Sequence, residues 1–177
     1  AATVCRDLRI PHYFMDTASA FQRHVIDPFC AAYAQARTPS PCVDCNTALK
    51  FGVVWDALEQ CLGVRHIATG HYARRENSPD GPRLRTAVST ERDQSYFLYG
   101  IARTRLAWVH FPLGTWHKDD VRRVAQEARL PTAKRPDSMD LCFAGEGDYP
   151  NALPVTGACS DRPICDEHGR ELGLHAG

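Results

Sequence analysis

Apolar residues recur at helical spacing in several stretches of the chain, with short apolar runs between them. Val4 and Leu8 lie four apart within residues 1–9, as in the last turns of a helix, and Pro11 follows. His12-Tyr13-Phe14-Met15-Asp16 then reads as a short buried strand. Asp27-Pro28 predicts a helix start, with Asp27 as N-cap and proline at the first helical position, after which Phe29, Ala32 and Tyr33 share one face. The prolines of Arg37-Thr38-Pro39-Ser40-Pro41 cannot continue that helix, because they remove donors and force extended backbone. The loop they predict runs to about Asn46. There a stronger amphipathic helix begins, with Phe51, Val54, Trp55, Leu58 and Leu62 on one side and Gly63 as its stop.

Val64 to Thr69 reads as a buried strand that ends at Gly70-His71. Strands at Tyr72–Arg75 and Leu84–Val88 flank the turn-forming cluster Asn77-Ser78-Pro79-Asp80-Gly81-Pro82 and predict a hairpin. Val121, Val124, Ala125 and Ala128 mark another amphipathic helix between Lys118 and Leu130, closed by Pro131, whereas residues 131–150 show little periodicity. Asp166-Glu167-His168-Gly169 signals a second hairpin. Helices alternating with short apolar strands imply an α/β layered domain with a mostly parallel sheet over residues 1–150. Residues 151–177 read as the start of a β-rich domain. The chain opens Ala1-Ala2 and ends inside a hairpin, so a piece of a longer protein is expected.

Composition changes this picture in two ways. No apolar run of the 177 residues reaches the roughly 18–20 that a membrane span requires, so no membrane partner is expected. Lys plus Arg and Asp plus Glu both number 21, so the net charge is zero and any nucleic-acid role needs a local patch. Arg74, Arg75, Arg83, Arg85, Arg92, Arg103 and Arg105 cluster, with Tyr72, Tyr96 and Tyr99 between them. That is a basic, aromatic patch of the kind that meets RNA. A solvated turn explains Arg92-Asp93-Gln94-Ser95 equally simply.

The 8 cysteines, at 5, 30, 42, 45, 61, 142, 159 and 165, lack the regular spacing of a secreted disulfide scaffold, and no leader pattern precedes them. A reducing cytoplasm is the expected compartment, where Cys-x-x-Cys marks a metal, cluster or redox site more often than a bridge. Cys42-Val43-Asp44-Cys45 falls on the predicted loop just before a helix N-terminus, whose dipole lowers a thiol pKa. Half of a structural zinc site, or plain loop cysteines, remain alternatives. Cys142, between Leu141 and Phe143, is by its neighbours an inert core cysteine. Cys5, Cys30 and Cys61 fall in helical patterns, and Cys159, Cys165, His168 and His175 form a weaker metal-binding set. Gly70-His71 ends a strand, where open parallel sheets bind ligands, although such a pair is also a common turn.

Several motifs then stand in one register: Thr38-Pro39-Ser40-Pro41-Cys42-Val43-Asp44-Cys45-Asn46, Lys50-Phe51, Ala68-Thr69-Gly70-His71-Tyr72-Ala73-Arg74, Asp93-Gln94-Ser95-Tyr96-Phe97-Leu98, Phe111-Pro112-Leu113-Gly114, Lys134, Asp137-Ser138 and Leu141-Cys142-Phe143. Over nearly its whole length the chain resembles the bacterial tRNA-specific 2-thiouridylase (MnmA/TrmU) family. The resemblance implies an adenine-nucleotide α-hydrolase-like domain and an enzyme that adenylates the C2 oxygen of the wobble uridine with ATP and magnesium, then replaces it with sulfur. It implies a persulfide on Cys142, a partner thiol at Cys45 able to form a disulfide with it in turnover, an ATP contact at Gly70, and tRNA contacts at His71, Arg92, Asp93 and Gln94. Ser40-Pro41-Cys42 corresponds to the loop facing the target base. The implied partners are tRNA and a sulfur-donor protein such as a cysteine desulfurase relay.

The departures from the family pattern carry expectations of their own. The Ser-Gly-Gly-Val-Asp-Ser loop that grips ATP phosphates is not in the sequence, so this chain alone is expected to be inactive. The C-terminal barrel is also missing. Ser40 replaces a usual Asn, Arg92 a usual Lys, Met139-Asp140 a usual Thr-Gly, and Cys42 a common Asp. The extra Cys42 tilts the reading towards a [4Fe-4S] cluster held by Cys42, Cys45 and Cys142, against the persulfide route. An iron–sulfur or zinc module without enzymatic activity, and a degenerate RNA-binding domain using only the arginines, are the competing readings.

Overall fold

The computed structural model describes residues 1–35, 37–134, 141–143 and 162–175. The fold is mixed α/β, and its helices lie mostly in the first part of the chain. Helix α1 (Ala2–Asp7) is where the Val4/Leu8 spacing places it. The expected strand at 12–16 has no regular structure and pairs with nothing among the described residues, and Phe14 is 89% exposed. Apolar content alone suggested burial there, yet a strand needs a laddered neighbour to be one.

Two long helical runs follow. The first joins α2 (Ala18–Phe21), a π-wound turn Gln22–Ile26 and α3 (Asp27–Ala34). Asp27 is therefore inside a helix, not its N-cap, and its carboxylate accepts from Gln22 Nε2 at 2.6 Å. Pro28 is tolerated because the wider winding before it absorbs the missing N–H and the ring's clash with the preceding turn. The second run joins α4 (Pro41–Asp44), a π-wound stretch Cys45–Val54 and α5 (Trp55–Leu62). It begins at Pro41, not near Asn46. Ser40 is extended, as a residue before proline should be, and proline's fixed φ suits the first helical position. Gly63 ends the run at φ +65°, with the Val64 N–H donating back to Leu58 O at 3.3 Å as in a Schellman motif.

Among the described residues, parallel pairing is confined to β1 (Ile67–Ala68) and β4 (Val109–His110). The buried strand expected over 64–69 shrinks to these two residues, with Ala68 exposed. The first hairpin pairs β2 (Ala73–Ser78) with β3 (Gly81–Thr86) about a Pro79-Asp80 turn, longer and tighter than the sequence suggested. Helix α6 (Arg103–Leu106) leads into β4, and α7 (Lys118–Glu127) is the amphipathic helix expected before Pro131. The predicted tail hairpin is present as β5 (Arg162–Cys165) and β6 (Glu171–His175). The domain boundary at 150 falls outside the described residues. No helix among the described residues is long and apolar enough to cross a membrane.

Phe51, Trp55, Ala73, Leu98, Ile101, Leu106 and Val109 form the core that joins the second helical run to the strands. Arg105 fastens its edge, donating to the carbonyls of Phe51 and Gly52 and to Asp56, with its guanidinium 5.4 Å from the Trp55 ring centre. Gly114 is packed against the start of β2, where any Cβ would run into the Ala73 carbonyl, while its own carbonyl accepts the Val88 N–H at 2.9 Å. Gly114→Ala is therefore expected to cost about 1–3 kcal/mol by overpacking. A urea unfolding curve with an unchanged midpoint would contradict this close approach.

Candidate functional site

Cys42 and Cys45 sit in the first turns of the second helical run, one turn apart on the face that also carries Asn46 and Lys50. Proline and the helix start, not a free loop, fix their direction. Segment 141–143 arrives from the far end of the chain and is held by Phe143, which meets Phe21 edge-on at 5.8 Å and Phe29 at 5.6 Å between ring centres. The result is a cleft of about 250 Å³ lined by Cys42, Cys45, Cys142, Lys50, His71 and Gln94 against a wall of Phe21, Val25, Phe97 and Phe143. Cys142 is exposed, so it is not the inert core residue its neighbours suggested; Cys42 is also exposed and Cys45 half-buried, and all the described cysteines are free thiols. Cys159 lies outside the described residues.

Electrostatics in the cleft are set by burial and one cation. Burial, then the neighbouring Cys142, push the Cys42 thiol up, against a smaller opposing pull from Lys50. Burial also raises Cys45, which Lys50 pulls back down more than Cys142 or Cys42 pushes it up. The helix-start effect that would lower these thiols does not prevail over burial. His71 is pushed down to about 4 by burial and by Lys50, and its Nδ1 lies 3.0 Å from Thr69 Oγ1. It is a neutral imidazole at pH 7.

The remaining candidates divide. Gly70 is exposed at the end of β1, where a Cβ would find ordinary space. Pro41, buried, lines the cleft at the helix start, and Ser40 immediately precedes it. Asp93 spends both carboxylate oxygens on the loop, accepting from the Ala87 N–H at 2.7 Å and the Ser95 hydroxyl at 2.6 Å. Gln94 Oε1 accepts the Tyr72 N–H at 3.0 Å, and the Gln94 N–H donates to Tyr72 O at 2.8 Å. This doubled link holds the start of the hairpin beside the cleft. Arg92 is half-buried in a short turn.

The arginine patch is more committed than its sequence implied. Arg105 and Arg75 donate to carbonyls inside the fold, Arg103 to the Asp80 carbonyl, and Arg74 to Thr86 O at 2.8 Å. Arg83 pairs with Asp80 at 2.6 Å and Arg85 with Glu76 at 2.5 Å. Tyr72 is buried, whereas Tyr96 and Tyr99 are 68% and 69% exposed with ring centres 6.3 Å apart. Sequence reading missed Asn46 and Lys50 as cleft residues; their offsets of four and eight from Cys42 were the available signal.

A metal at this cleft does not fit the side chains as they stand. Three cysteines share its wall, yet among the described residues no three His, Cys, Asp or Glu groups converge to hold an ion. Of the weaker set Cys159, Cys165, His168 and His175, Cys159 and the His175 side chain lie outside what is described, and the described members are part of no such group.

The family described as tRNA methyl transferase HUP domain matches residues 1–146. The chain belongs to that family. The whole chain also aligns with proteins named tRNA-specific 2-thiouridylase MnmA: 46% identical in Xanthobacter autotrophicus, 44% in Acidiphilium cryptum and 43% in Chloroflexus aurantiacus. It covers 46%, 52% and 50% of those relatives. The chain thus spans about half the length of the relatives it matches. Within this family the HUP domain is the α/β unit expected from the alternation of helices and strands.

The depressed His71 makes a prediction with a definite sign. Between about 4 and 6.5 the unfolded chain binds a proton at His71 that the folded chain does not, so this residue's contribution is fully present above the unfolded value and is lost as pH falls towards 4. An NMR titration of the His71 ring should stay flat from pH 8 to 5. A midpoint near 6.5 would contradict a half-buried ring sharing the cleft with Lys50.

Proposed function

We propose that the protein carrying this chain transfers sulfur to C2 of the wobble uridine of tRNA, in the cytoplasm, where a reducing medium keeps its thiols free. The observation that carries this reading is the meeting of Cys142 with Cys42 and Cys45 in one cleft beside His71 and Gln94. The relatives' name, tRNA-specific 2-thiouridylase, supports it. ATP is the activating substrate, with Gly70 at the strand end where nucleotides dock on such sheets. Magnesium would neutralise the phosphates.

The chemistry follows from the three thiols. Adenylation makes C2 of the uridine electrophilic and releases pyrophosphate. A terminal persulfide sulfur on Cys142 attacks C2, and AMP leaves with the former C2 oxygen. The Cys45 thiolate then attacks Cys142 Sγ; the bond from that sulfur to the transferred one breaks, and its electron pair stays on the sulfur now attached to the uridine. Cys45 and Cys142 end as a disulfide, which a dithiol reductant reopens before a sulfur-donor protein reloads Cys142. The persulfide route is preferred to a cluster because among the described residues no three thiol, imidazole or carboxylate groups converge to hold an ion.

tRNA reaches the cleft by contacts at Ser40, Pro41, Cys42, His71 and Arg92, with Asp93 and Gln94 holding the loop that presents them. Tyr96 and Tyr99 supply an exposed aromatic surface on which an unstacked base can lie. The gene for the whole protein that carries this chain, placed in a bacterium lacking its own 2-thiouridylase, should restore 2-thiouridine in tRNA hydrolysates analysed by mass spectrometry. Cys45→Ala and Cys142→Ala should each lower it by about 100-fold or more. Failure of the unaltered gene, or full product with Cys142→Ala, would overturn the reading.

A further inference from the structure

Asn46 lines the cleft one residue after Cys45, and it is 3% exposed. Its amide Nδ2 donates to Phe97 O at 3.2 Å, and that bond sets which way the amide faces, since the reverse orientation would press two oxygens together. Oδ1 is left buried with no hydrogen-bond partner. Thr47 Oγ1 and Tyr72 Oη share that condition among the described residues, but neither residue lines the cleft. A buried carbonyl oxygen without a donor is costly, because it has given up water and gained nothing for it. Other acceptors at the cleft are engaged: Gln94 Oε1 with the Tyr72 N–H, and His71 Nδ1 with Thr69 Oγ1. Asn46 thus brings to the cleft a strong acceptor with nothing to accept, and a second amide N–H beside it.

We propose that Asn46 distinguishes uracil from cytosine in the cleft, its Oδ1 accepting the N3–H of the incoming base before activation. The identity of the base rests on the sulfur-transfer reading. Both pyrimidines carry a C2 carbonyl, so the reacting group itself does not separate them; at N3, uracil has a donor where cytosine has a lone pair. N3 is bonded to C2, so a residue that reads it has to stand beside the thiols, as Asn46 stands beside Cys45. The Phe97 carbonyl makes the choice. A free asparagine would turn over and donate to N3 of cytosine equally well, whereas one held by Phe97 O keeps its oxygen for a donor. Oδ1 is closed to solvent, so water does not compete for it. The broad terminal torsion of asparagine lets the oxygen swing towards the base while Phe97 O retains its N–H. A site built around one hydrogen bond rejects an analogue that lacks the matching group, because the site's own polar atom then stays unpaired.

The test uses the whole protein that carries this chain and three anticodon stem-loops, identical except for uridine, cytidine or 3-methyluridine at the wobble position. Their dissociation constants are measured by fluorescence anisotropy at one salt concentration, without ATP. The uridine loop should bind about tenfold more tightly than either of the others. Asn46→Ala should weaken the uridine loop alone, bringing all three to similar affinity, and Asn46→Ser, whose hydroxyl either donates or accepts, should likewise erase the preference for uridine over cytidine. A merely structural role would weaken the three loops together and keep their ratios. Circular dichroism melting checks that both variants fold; if neither does, the unaltered protein decides, the tenfold preference upholding the proposal and equal binding overturning it. A folded Asn46→Ala protein that keeps the preference, in a protein that forms 2-thiouridine in cells, overturns this proposal alone. If the unaltered protein forms no 2-thiouridine and binds none of the loops, the sulfur-transfer reading falls and the proposal with it.

Discussion

The site depends on one aromatic contact. Phe143 rests edge-on against Phe21 and Phe29, and through it a short segment distant in sequence is pinned to the first long helical run. Edge-to-face pairs of this kind contribute about 0.5–1.5 kcal/mol each beyond the area they bury. That is enough to hold three residues in place while leaving them able to shift. Cys142, immediately before Phe143, is presented to the cleft by this anchor, while its own side chain remains exposed.

The second helical run serves fold and site together. Phe51 and Trp55 put one face of it into the core, and Arg105 satisfies carbonyls at the end of its π-wound stretch. Its other face carries Cys42, Cys45, Asn46 and Lys50 into the cleft. π-winding changes the residues per turn, and such segments often accompany functional sites. Here the same stretch packs Phe51 inward and sets Cys45 and Lys50 on the cleft. The rigidity of the thiol face therefore derives from the core behind it.

Much of this was legible in the sequence, and the failures have physical causes. Gly63, Pro131 and the Asn77–Pro82 cluster announced their turns because glycine and proline restrict backbone geometry locally. The start at Pro41 was misread because proline both ends one helix and opens the next, and only the following residues decide which. The strand at 12–16 failed because pairing depends on a neighbour that apolar content does not reveal. Arg105 looked like part of a nucleic-acid surface since charge in a sequence says nothing of the carbonyls it will meet. The cleft itself became legible only through motifs in register; composition and periodicity alone left Cys142 as a core residue. Lys50 stood in a motif but received no role at the site, because a single lysine on an amphipathic helix is ordinarily a solvated one.

The central claim is that Cys142 meets the Cys42/Cys45 turn across the cleft. Mild oxidation of the reduced chain with diamide, followed by peptide mapping without reductant, tests it directly. The account predicts that Cys142 is recovered chiefly in a disulfide with Cys45 or Cys42. Recovery of Cys142 as a free thiol, or bonded to Cys5, Cys30, Cys61, Cys159 or Cys165 instead, would contradict it.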